Sequence, residues 1–248
     1  MFSLQSLKGA ATPLLPRLST GIETLDASLG GGLPFGKIVE VSGLPGSGRS
    51  SLALSMGLRC LALGHAVAWV ESRCFFWPLP AIEAGVPLNR LLVLRVPPAE
   101  QLHAAELLLS SPGAVRMAII DFSRAPEVGH SGSSGLRAGV GSPEGRGKQR
   151  GAPHEMLPFQ LARLHRLAER SSALLLFLTD RPPDSASLGS LVDIRLHLRL
   201  PRADSASRAS IFDRRLEVAV LRHKQGPSQG RFSESLHGPD RLRLRSTL

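Results

Sequence analysis

The chain has 248 residues, of which 42% are hydrophobic, and it carries 30 lysines and arginines against 20 acidic residues, for a formal charge of +10. This length and apolar content predict one well-buried domain, and a total of 2 cysteines excludes both a secreted disulfide scaffold and a structural zinc site. No stretch approaches the ~18 apolar residues of a membrane span, so we expect a cytoplasmic protein. The basic charge favours a polyanion such as nucleic acid, although a solvated arginine-rich surface accounts for it equally well.

The first strong signal is a glycine-rich loop between a strand and a helix. A turn-rich run, "GGGLPFG" at 30–36, leads into the β-branched segment 37–41, which we predict to be a strand. The loop "GLPGSGRS" follows, and Ser50 opens a helical pattern that ends near Gly64. This loop matches the phosphate-binding pattern G-x-x-x-x-G-K-[ST] at every position except one, where Arg49 replaces the lysine.

A loop of this kind predicts a nucleotide site, because successive backbone N–H groups and the positive end of the following helix surround phosphate. ATP and Mg²⁺ are the candidate cofactors, and Ser50 and Asp121 are the candidate magnesium ligands. Arg49 leaves two interpretations open: it substitutes for the lysine, or the loop binds phosphate without the geometry that hydrolysis needs. The candidate nucleotide-binding residues are Gly43, Leu44, Pro45, Gly46, Ser47, Gly48, Arg49, Ser50, Ser51 and, on a later strand, Asp121.

Strand and helix patterns alternate after the loop. Apolar segments at 66–70, 91–96, 117–121 and 174–179 are predicted strands, and helical patterns occupy 99–110 and 157–171. This alternation predicts an α/β fold with a mainly parallel sheet flanked by helices. Segments 191–200 and 215–222 follow each other without a helix between them, which predicts antiparallel strands at the C-terminal edge of the sheet.

One segment lacks the composition of a packed core. Residues 124–154 are rich in Gly, Ser, Pro and Arg, with too few apolar groups to offset an ordering entropy of ~1–2 kcal/mol per residue. We predict a flexible insertion whose Arg146, Lys148 and Arg150 are candidate DNA contacts, as is Arg181; a tolerated surface insertion is the alternative. The domain division is an N-terminal arm at 1–16, a core at 17–236 that contains the insertion, and a basic C-terminal tail at 237–248.

The order of these motifs resembles the bacterial recombinase RecA and its relatives. The likeness begins with the lead-in "LSTGIETLD", continues through the "GGLPFG" turn and the glycine loop, and reaches a closing "EVAVLRHKQGPSQGRF" hairpin. It covers roughly residues 17–236. The resemblance implies a RecA-like core in which Asp121 holds the magnesium water shell.

The resemblance also implies that residues at the catalytic positions differ from those of RecA. Arg73 aligns best with the glutamate that activates water in RecA, with Glu71 two residues earlier. Asp180 stands where RecA has a phosphate-sensing glutamine, and a short segment from Arg181 replaces a DNA-binding loop. Two basic residues occupy positions with which recombinases reach a neighbouring subunit's nucleotide, and they are Arg222 and Lys224.

A short core with an arginine-rich tail resembles the ImuA family, the RecA-like accessory proteins of bacterial damage-induced mutagenesis. This resemblance implies an adaptor with a degenerate ATP site that binds an ImuB-like inactive Y-family polymerase, RecA, an error-prone replicative-type polymerase and DNA. The arginines of flexible segments and the small number of aromatic residues predict DNA binding without sequence specificity, and we expect single-stranded DNA to be the form bound. The resemblance also implies a chain that does not form a filament by itself. Two alternatives stay open: a DNA-dependent ATPase of the recombinase type with Glu71 as the base, and a nucleotide-dependent switch unrelated to DNA.

Overall fold

The computed structural model describes residues 16–73, 78–83, 85–123, 158–200, 215–224 and 230–235, together with Phe76 and Gly226. The expectations for the N-terminal arm, for the insertion with Arg146, Lys148 and Arg150, and for the C-terminal tail fall outside these residues. Within the described ranges, no helix has the length and apolar character needed to cross a bilayer.

The described residues form ten strands and five α-helices. The strands are β1 (Arg17–Leu18), β2 (Leu33–Pro34), β3 (Ile38–Gly43), β4 (Val67–Glu71), β5 (Leu91–Arg95), β6 (Met117–Asp121), β7 (Leu174–Thr179), β8 (Ile194–Arg199), β9 (Arg215–His223) and β10 (Gly230–Ser235). The helices are α1 (Glu23–Ser28), α2 (Arg49–Ala62), α3 (Leu79–Glu83), α4 (Gln101–Ser110) and α5 (Pro158–Ser171), with single 3₁₀ turns at Leu88–Arg90 and Pro98–Glu100.

Eight of the strands form one sheet in the order β10, β9, β8, β3, β7, β6, β4, β5. The six strands from β8 to β5 run parallel, whereas β9 is antiparallel to β8 and β10 is antiparallel to β9. The prediction of a mainly parallel sheet with antiparallel strands at its C-terminal edge is therefore confirmed. Strands β1 and β2 pair separately as a small antiparallel ribbon.

Helices cover both faces of the parallel sheet, so its central strands are buried on both sides. One apolar core lies under α1 and α2, and it includes Val41, Met56 and Ile119. The other lies under α4 and α5, and it includes Ile120 and Leu164. Neighbouring residues of one strand thus belong to different cores, as the alternation of side chains along a β-strand requires.

The lead-in before β2 is held together by one carboxylate. Asp26 in α1 accepts hydrogen bonds from the hydroxyl of Ser19, at 2.6 Å, and from the hydroxyl and backbone N–H of Thr20, at 2.7 and 2.8 Å. Arg17 closes the other side by donating to the carbonyl oxygens of Leu29 and Gly32. The "TG" and "LD" pairs of the lead-in therefore have a structural role in fixing the turn that enters β3.

A connection without a helix joins β7 to β8. These strands lie on either side of β3, so residues 180–193, the crossover segment, pass over the face of the sheet that α4 and α5 cover. Leu188 and Val192 of this segment are buried in the core of that face. The buried part of this segment needs partners for its backbone polar groups, and an irregular connection cannot supply them as a helix does.

Two charged side chains of the sheet form hydrogen bonds with polar groups of the crossover segment. Glu40, fully buried in β3, accepts hydrogen bonds from the hydroxyl of Ser187 at 2.6 Å, the N–H of Leu188 at 3.0 Å and the hydroxyl of Thr179 at 3.0 Å. Arg195 in β8 donates to the carbonyl oxygens of Pro182 and Ser185. Arg195 Nε lies 3.7 Å from Glu40 Oε2, so the two charges also compensate each other.

Candidate nucleotide site

The glycine loop joins the carboxyl end of β3 to the first turn of α2. A Cβ atom on Gly43 would lie 2.5 Å from Ser47 Oγ and 2.6 Å from the carbonyl oxygen of Leu198, so only glycine fits the start of the loop. Gly48 is the N-cap residue of α2 with φ of 91°, a left-handed conformation that glycine adopts without strain. No side chain caps α2, and the N–H groups of its first turn are thus oriented as in sites that bind phosphate.

Three carboxylates lie at the carboxyl ends of the parallel strands, which is the end of the sheet that carries the glycine loop. Glu71 ends β4, Asp121 ends β6, and Asp180 directly follows β7. The register pairs Glu71 with Asp121 across neighbouring strands. In all three strands the residue two positions earlier packs in the core under α2, so alternation directs the three carboxylates toward the face that carries α2 and the loop.

Arg49 is the first residue of α2 and is 5% exposed. Its Nη2 lies 2.5 Å from Oδ1 of Asp180. The contact follows from the topology, because β3 and β7 are neighbours with Ser42 opposite Thr179, which places the residues that follow them side by side. Arg49 Nη1 is buried and makes no hydrogen bond within the described part of the chain. The cation of the loop is therefore compensated by an acid of its own chain, while one of its nitrogens keeps an unused hydrogen-bonding capacity.

Both carboxylate oxygens of Glu71 are in use. Oε1 lies 3.3 Å from Nε of Arg95, the residue opposite it in β5, and Oε2 accepts the backbone N–H of Phe76 at 2.9 Å. Glu71 is 1% exposed, whereas Arg73 beyond the strand is exposed. Glu71 thus anchors the edge strand and the segment after β4, an arrangement that differs from a carboxylate directed at an attacking water.

The two candidate magnesium ligands occupy different environments. Asp121 is 5% exposed, and its Oδ1 accepts the N–H of Ser123 at 2.9 Å. The side-chain amide of Gln101 in α4 donates to the backbone carbonyl oxygen of Asp121 at 2.9 Å. Ser50 is exposed on the first turn of α2. A carboxylate that ends a buried strand and a hydroxyl that follows the glycine loop are the donors that a magnesium ion with its water shell would use, so this pair fits the predicted ion.

One ionisable group near the loop has no signal in the sequence motif. His197 in β8 contacts the hydroxyl of Ser42 through Nδ1, at 3.1 Å. Burial, and then the nearby cations of Arg195 and Arg49, lower the pKa of His197 below its ordinary value of 6.5. The imidazole is therefore neutral at pH 7, and it adds a hydrogen-bonding group to the base of the loop rather than a further cation.

The basic residues predicted at other contacts bind their own chain. Arg181 donates to the carbonyl oxygen of Ala186, at 3.0 Å. Arg222 donates to the carbonyl oxygens at 189 and 190, at 3.2 and 2.7 Å, and Lys224 Nζ lies 3.5 Å from Oδ1 of Asp193. Arg222 and Lys224 are at the end of β9 beside the start of β8, so they lie at the opposite edge of the sheet from the glycine loop. Their predicted roles with DNA and with a neighbouring nucleotide stay predictions.

Sequence reasoning did not identify the Arg49–Asp180 contact or the Glu40–Arg195 pair. A weak signal existed for the second, because Glu40 interrupts the otherwise apolar segment "KIVEV". Arg195 gave no such signal, since it alternates with the polar residues Asp193 and His197 in "DIRLHL". The structure also defines the surroundings of Phe76 and Cys60. Phe76 packs on Trp69 with ring centroids 5.3 Å apart, and burial raises the pKa of the Cys60 thiol to about 12.

Comparisons with known proteins agree with this architecture. Residues 3–134 match the sequence family described as the RecA N-terminal domain. The chain is 36% identical over 120 residues to the protein RecA of Crocosphaera subtropica, which covers 48% of this chain and 34% of that protein. It is 42% identical over 106 residues to the protein RecA of Rhodospirillum rubrum, which covers 42% of this chain and 29% of that protein. The matched part thus spans about a third of the length of these relatives.

A solved structure extends the likeness to most of the chain. The RadB recombinase aligns with a TM-score of 0.62 over 88% of this chain and 95% of that one, at 19% sequence identity. At this level of identity the alignment shows the fold alone. At 88% of the chain, the alignment extends beyond the region that the sequence family matches.

Proposed function

The chain belongs to the RecA family, and on that premise we propose that it acts in DNA repair as an accessory protein whose ATP site binds nucleotide without effective hydrolysis. The function we infer is that of an adaptor in error-prone translesion synthesis during the SOS response, as in the ImuA family. Its partners would be an ImuB-like inactive Y-family polymerase and DNA, with RecA and an error-prone replicative polymerase as further partners. The resemblance of the motifs and the state of the loop support this proposal.

The observation that carries the proposal is the buried ion pair between Arg49 and Asp180 in an otherwise complete phosphate loop. Phosphoryl transfer depends on positioned positive charge that stabilises the developing negative charge. A guanidinium held by a carboxylate supplies less of this charge than a lysine ammonium directed at the phosphates. The two candidate positions for the residue that activates water also support the proposal. Both carboxylate oxygens of Glu71 are occupied by other contacts, and Arg73 cannot accept a proton.

A phosphate-release assay tests this function. We expect the purified full-length chain, with ATP and Mg²⁺, to release phosphate at the background rate whether or not single-stranded DNA is present. Brisk DNA-stimulated release that Asp121→Ala abolishes would instead establish the alternative, a DNA-dependent ATPase of the recombinase type. The pairing of Glu71 with Asp121 across two strands is the observation that favours this alternative.

A surface for a protein partner is proposed at the edge strand β5. Along the consecutive elements that end in this strand, four apolar side chains are between 40% and 56% exposed, and they are Leu79, Ile82, Leu88 and Leu92. Strand β5 is the last strand on this side of the described sheet, so its outer edge can accept a further strand. We assign this surface to the ImuB-like partner.

Co-purification with the ImuB-like protein tests the assignment. Leu92→Glu should weaken capture of the partner, because it places a charge on the proposed contact. Leu107→Glu is the matched control, since Leu107 is 60% exposed on α4, outside this surface. Equal loss of capture by both variants, or by neither, would contradict the placement at β5.

DNA binding, which we also propose, would be electrostatic. We assign it to three basic residues, Arg146, Lys148 and Arg150. Contacts of this type bind phosphates rather than base edges. We expect the affinity for single-stranded DNA to fall steeply with salt and to depend little on base composition. Replacing all three residues with glutamine should flatten the salt dependence, as measured by fluorescence anisotropy; an unchanged slope would remove these residues from the interface.

A further inference from the structure

The cation that a terminal phosphate would use is already bound to a carboxylate. In phosphate loops of this pattern, backbone N–H groups surround the inner phosphates, and the basic residue before the Ser or Thr reaches the outer ones. Here that basic residue is Arg49, and its Nη2 lies 2.5 Å from Oδ1 of Asp180. The carboxylate stands in for phosphate oxygens on the guanidinium, since it offers the same donor a negatively charged oxygen at hydrogen-bonding distance.

The pair is held in place by the surrounding fold. Asp180 follows the last residue of β7 and lies beside Gly43, the first residue of the loop, because Thr179 is opposite Ser42 in the register of β3 and β7. Arg49 is 5% exposed and the Asp180 side chain is 20% exposed, so water screens their attraction less than at an open surface. A ligand in the loop therefore meets a fixed negative charge on the side of Arg49.

A diphosphate and a triphosphate meet this charge differently. Two phosphates can be held by the loop amides and the N-terminus of α2 while the Arg49–Asp180 pair stays intact. A third phosphate that extends toward Arg49 must either displace the carboxylate or lie close to it, and like charges at such distances repel each other. The unused Arg49 Nη1 offers one donor to a ligand without separation of the pair.

We infer that Asp180 makes this loop selective for nucleoside diphosphates over triphosphates. The inference rests on the proposed nucleotide site and adds a specificity-determining residue to it. In physical terms, Asp180 competes with the terminal phosphate for a single guanidinium.

Calorimetric titration of the full chain tests the inference. The ligands are ADP and the non-hydrolysable triphosphate adenylyl imidodiphosphate, both with Mg²⁺. We expect the wild-type chain to bind ADP at least about tenfold more tightly, and Asp180→Asn to reduce this ratio to about threefold or less by strengthening triphosphate binding. Asp184→Asn is the matched control, because it removes the same charge from an exposed position four residues along the chain and should leave the ratio at the wild-type value.

The outcomes distinguish failure of the selectivity from failure of the nucleotide site. Equal affinities of the wild-type chain for both ligands would overturn the selectivity while leaving the nucleotide site in place, and so would a ratio that Asp180→Asn does not change. Absence of binding of either ligand to wild type and to variant would overturn the proposed nucleotide site itself. Asp180→Gln is a second variant for the case that the asparagine form does not fold, and the wild-type ratio is decisive against the inference on its own.

Discussion

Arg49 and Arg195 lie on opposite faces of the sheet beside β3, and each is about 95% buried and paired with a carboxylate. Arg195 donates to two carbonyl oxygens and to the hydroxyl of Ser185, and its Nε lies 3.7 Å from Glu40 Oε2 without a hydrogen bond in the described structure. Arg49 has the shorter contact to its acid but leaves Nη1 without a hydrogen bond in the described structure. One buried charge is thus bonded on several sides, and the other is bonded on one side.

The difference separates a structural charge from one that is available to a ligand. A buried ion needs both charge compensation and hydrogen bonds, and removal of a partner is costly where the surrounding fold supplies most of them. The Glu40–Arg195 pair serves the crossover segment, and no external ligand has a place in it. The Arg49–Asp180 pair lies beside a glycine loop, so we expect an anion bound there to replace the negative charge that a substitution of Asp180 removes.

The largest expected effect comes from Glu40→Ala. This change leaves Arg195 without its carboxylate and removes the acceptor for Ser187 and Leu188, so we expect the free energy of unfolding to fall by about 3–5 kcal/mol. Urea denaturation monitored by circular dichroism measures the change. Added pyrophosphate should restore none of it, and a loss below about 1 kcal/mol would show that the pair does not carry the crossover segment.

Asp180→Ala should have a smaller effect that an anion reverses. Because Asp180 is partly exposed, we expect the free energy of unfolding to fall by about 1–2 kcal/mol. Pyrophosphate at millimolar concentration should recover most of this loss by binding the released guanidinium, in proportion to its occupancy. Thermal denaturation with and without pyrophosphate measures the recovery, and the same response in Glu40→Ala would abolish the distinction between the two arginines.

His197 should make stability depend on pH near the loop. Its folded-state pKa is lowered, by burial first and then by the cations of Arg195 and Arg49, so the neutral imidazole is favoured in the folded chain. The stabilisation is therefore fully present above the unfolded value of about 6.5 and is lost as pH falls toward the lower folded pKa. Urea denaturation between pH 7.5 and about 5 should show this slope, and His197→Asn should flatten it. An identical slope in the variant would assign the effect to other groups.

The smallest effect is expected at an exposed pair on the opposite edge. Lys37 Nζ lies 2.8 Å from Oε1 of Glu169, whose side chain is 46% exposed. The hydrogen bond from Lys37 is the main cause of the lowered pKa of Glu169, so this contribution is present above the ordinary pKa of about 4.5 and is lost as pH falls below it. Glu169→Gln should cost at most about 1 kcal/mol in urea denaturation at pH 7. A loss comparable to that of Glu40→Ala would show that burial does not separate these charges.

Local patterns predicted the fold and the position of the loop. Glycines at fixed intervals between a β-branched segment and a helical pattern indicate the strand, turn and helix together, because each signal depends on neighbouring residues. The Arg49–Asp180 contact could not be predicted in this way. It depends on β3 lying beside β7, a tertiary arrangement, and on the direction of two side chains that are far apart along the chain.

The same limit applies to the crossover segment. "RPPDSASLG" has the composition of an exposed loop, and the sequence gives no indication that Leu188 packs in the core. Its burial depends on Glu40, which supplies the acceptor that an apolar residue at that position of β3 would lack. Charged residues within otherwise apolar strands are therefore worth testing as partners for a nearby irregular segment.

The crossover segment has one more consequence, which concerns its rate of hydrogen exchange. The amide of Leu188 is buried and bonded to Glu40, so its hydrogen should exchange with deuterium about as slowly as those of the central strands, through global opening of the domain. Leu188 should therefore keep its place when a ligand binds in the glycine loop, whereas the exposed residues 182–184 of the same segment are not held by this bond. We therefore expect a signal from the glycine loop to pass through the first turn of α2, the exposed part of this segment or the edge of the sheet, and not through Leu188.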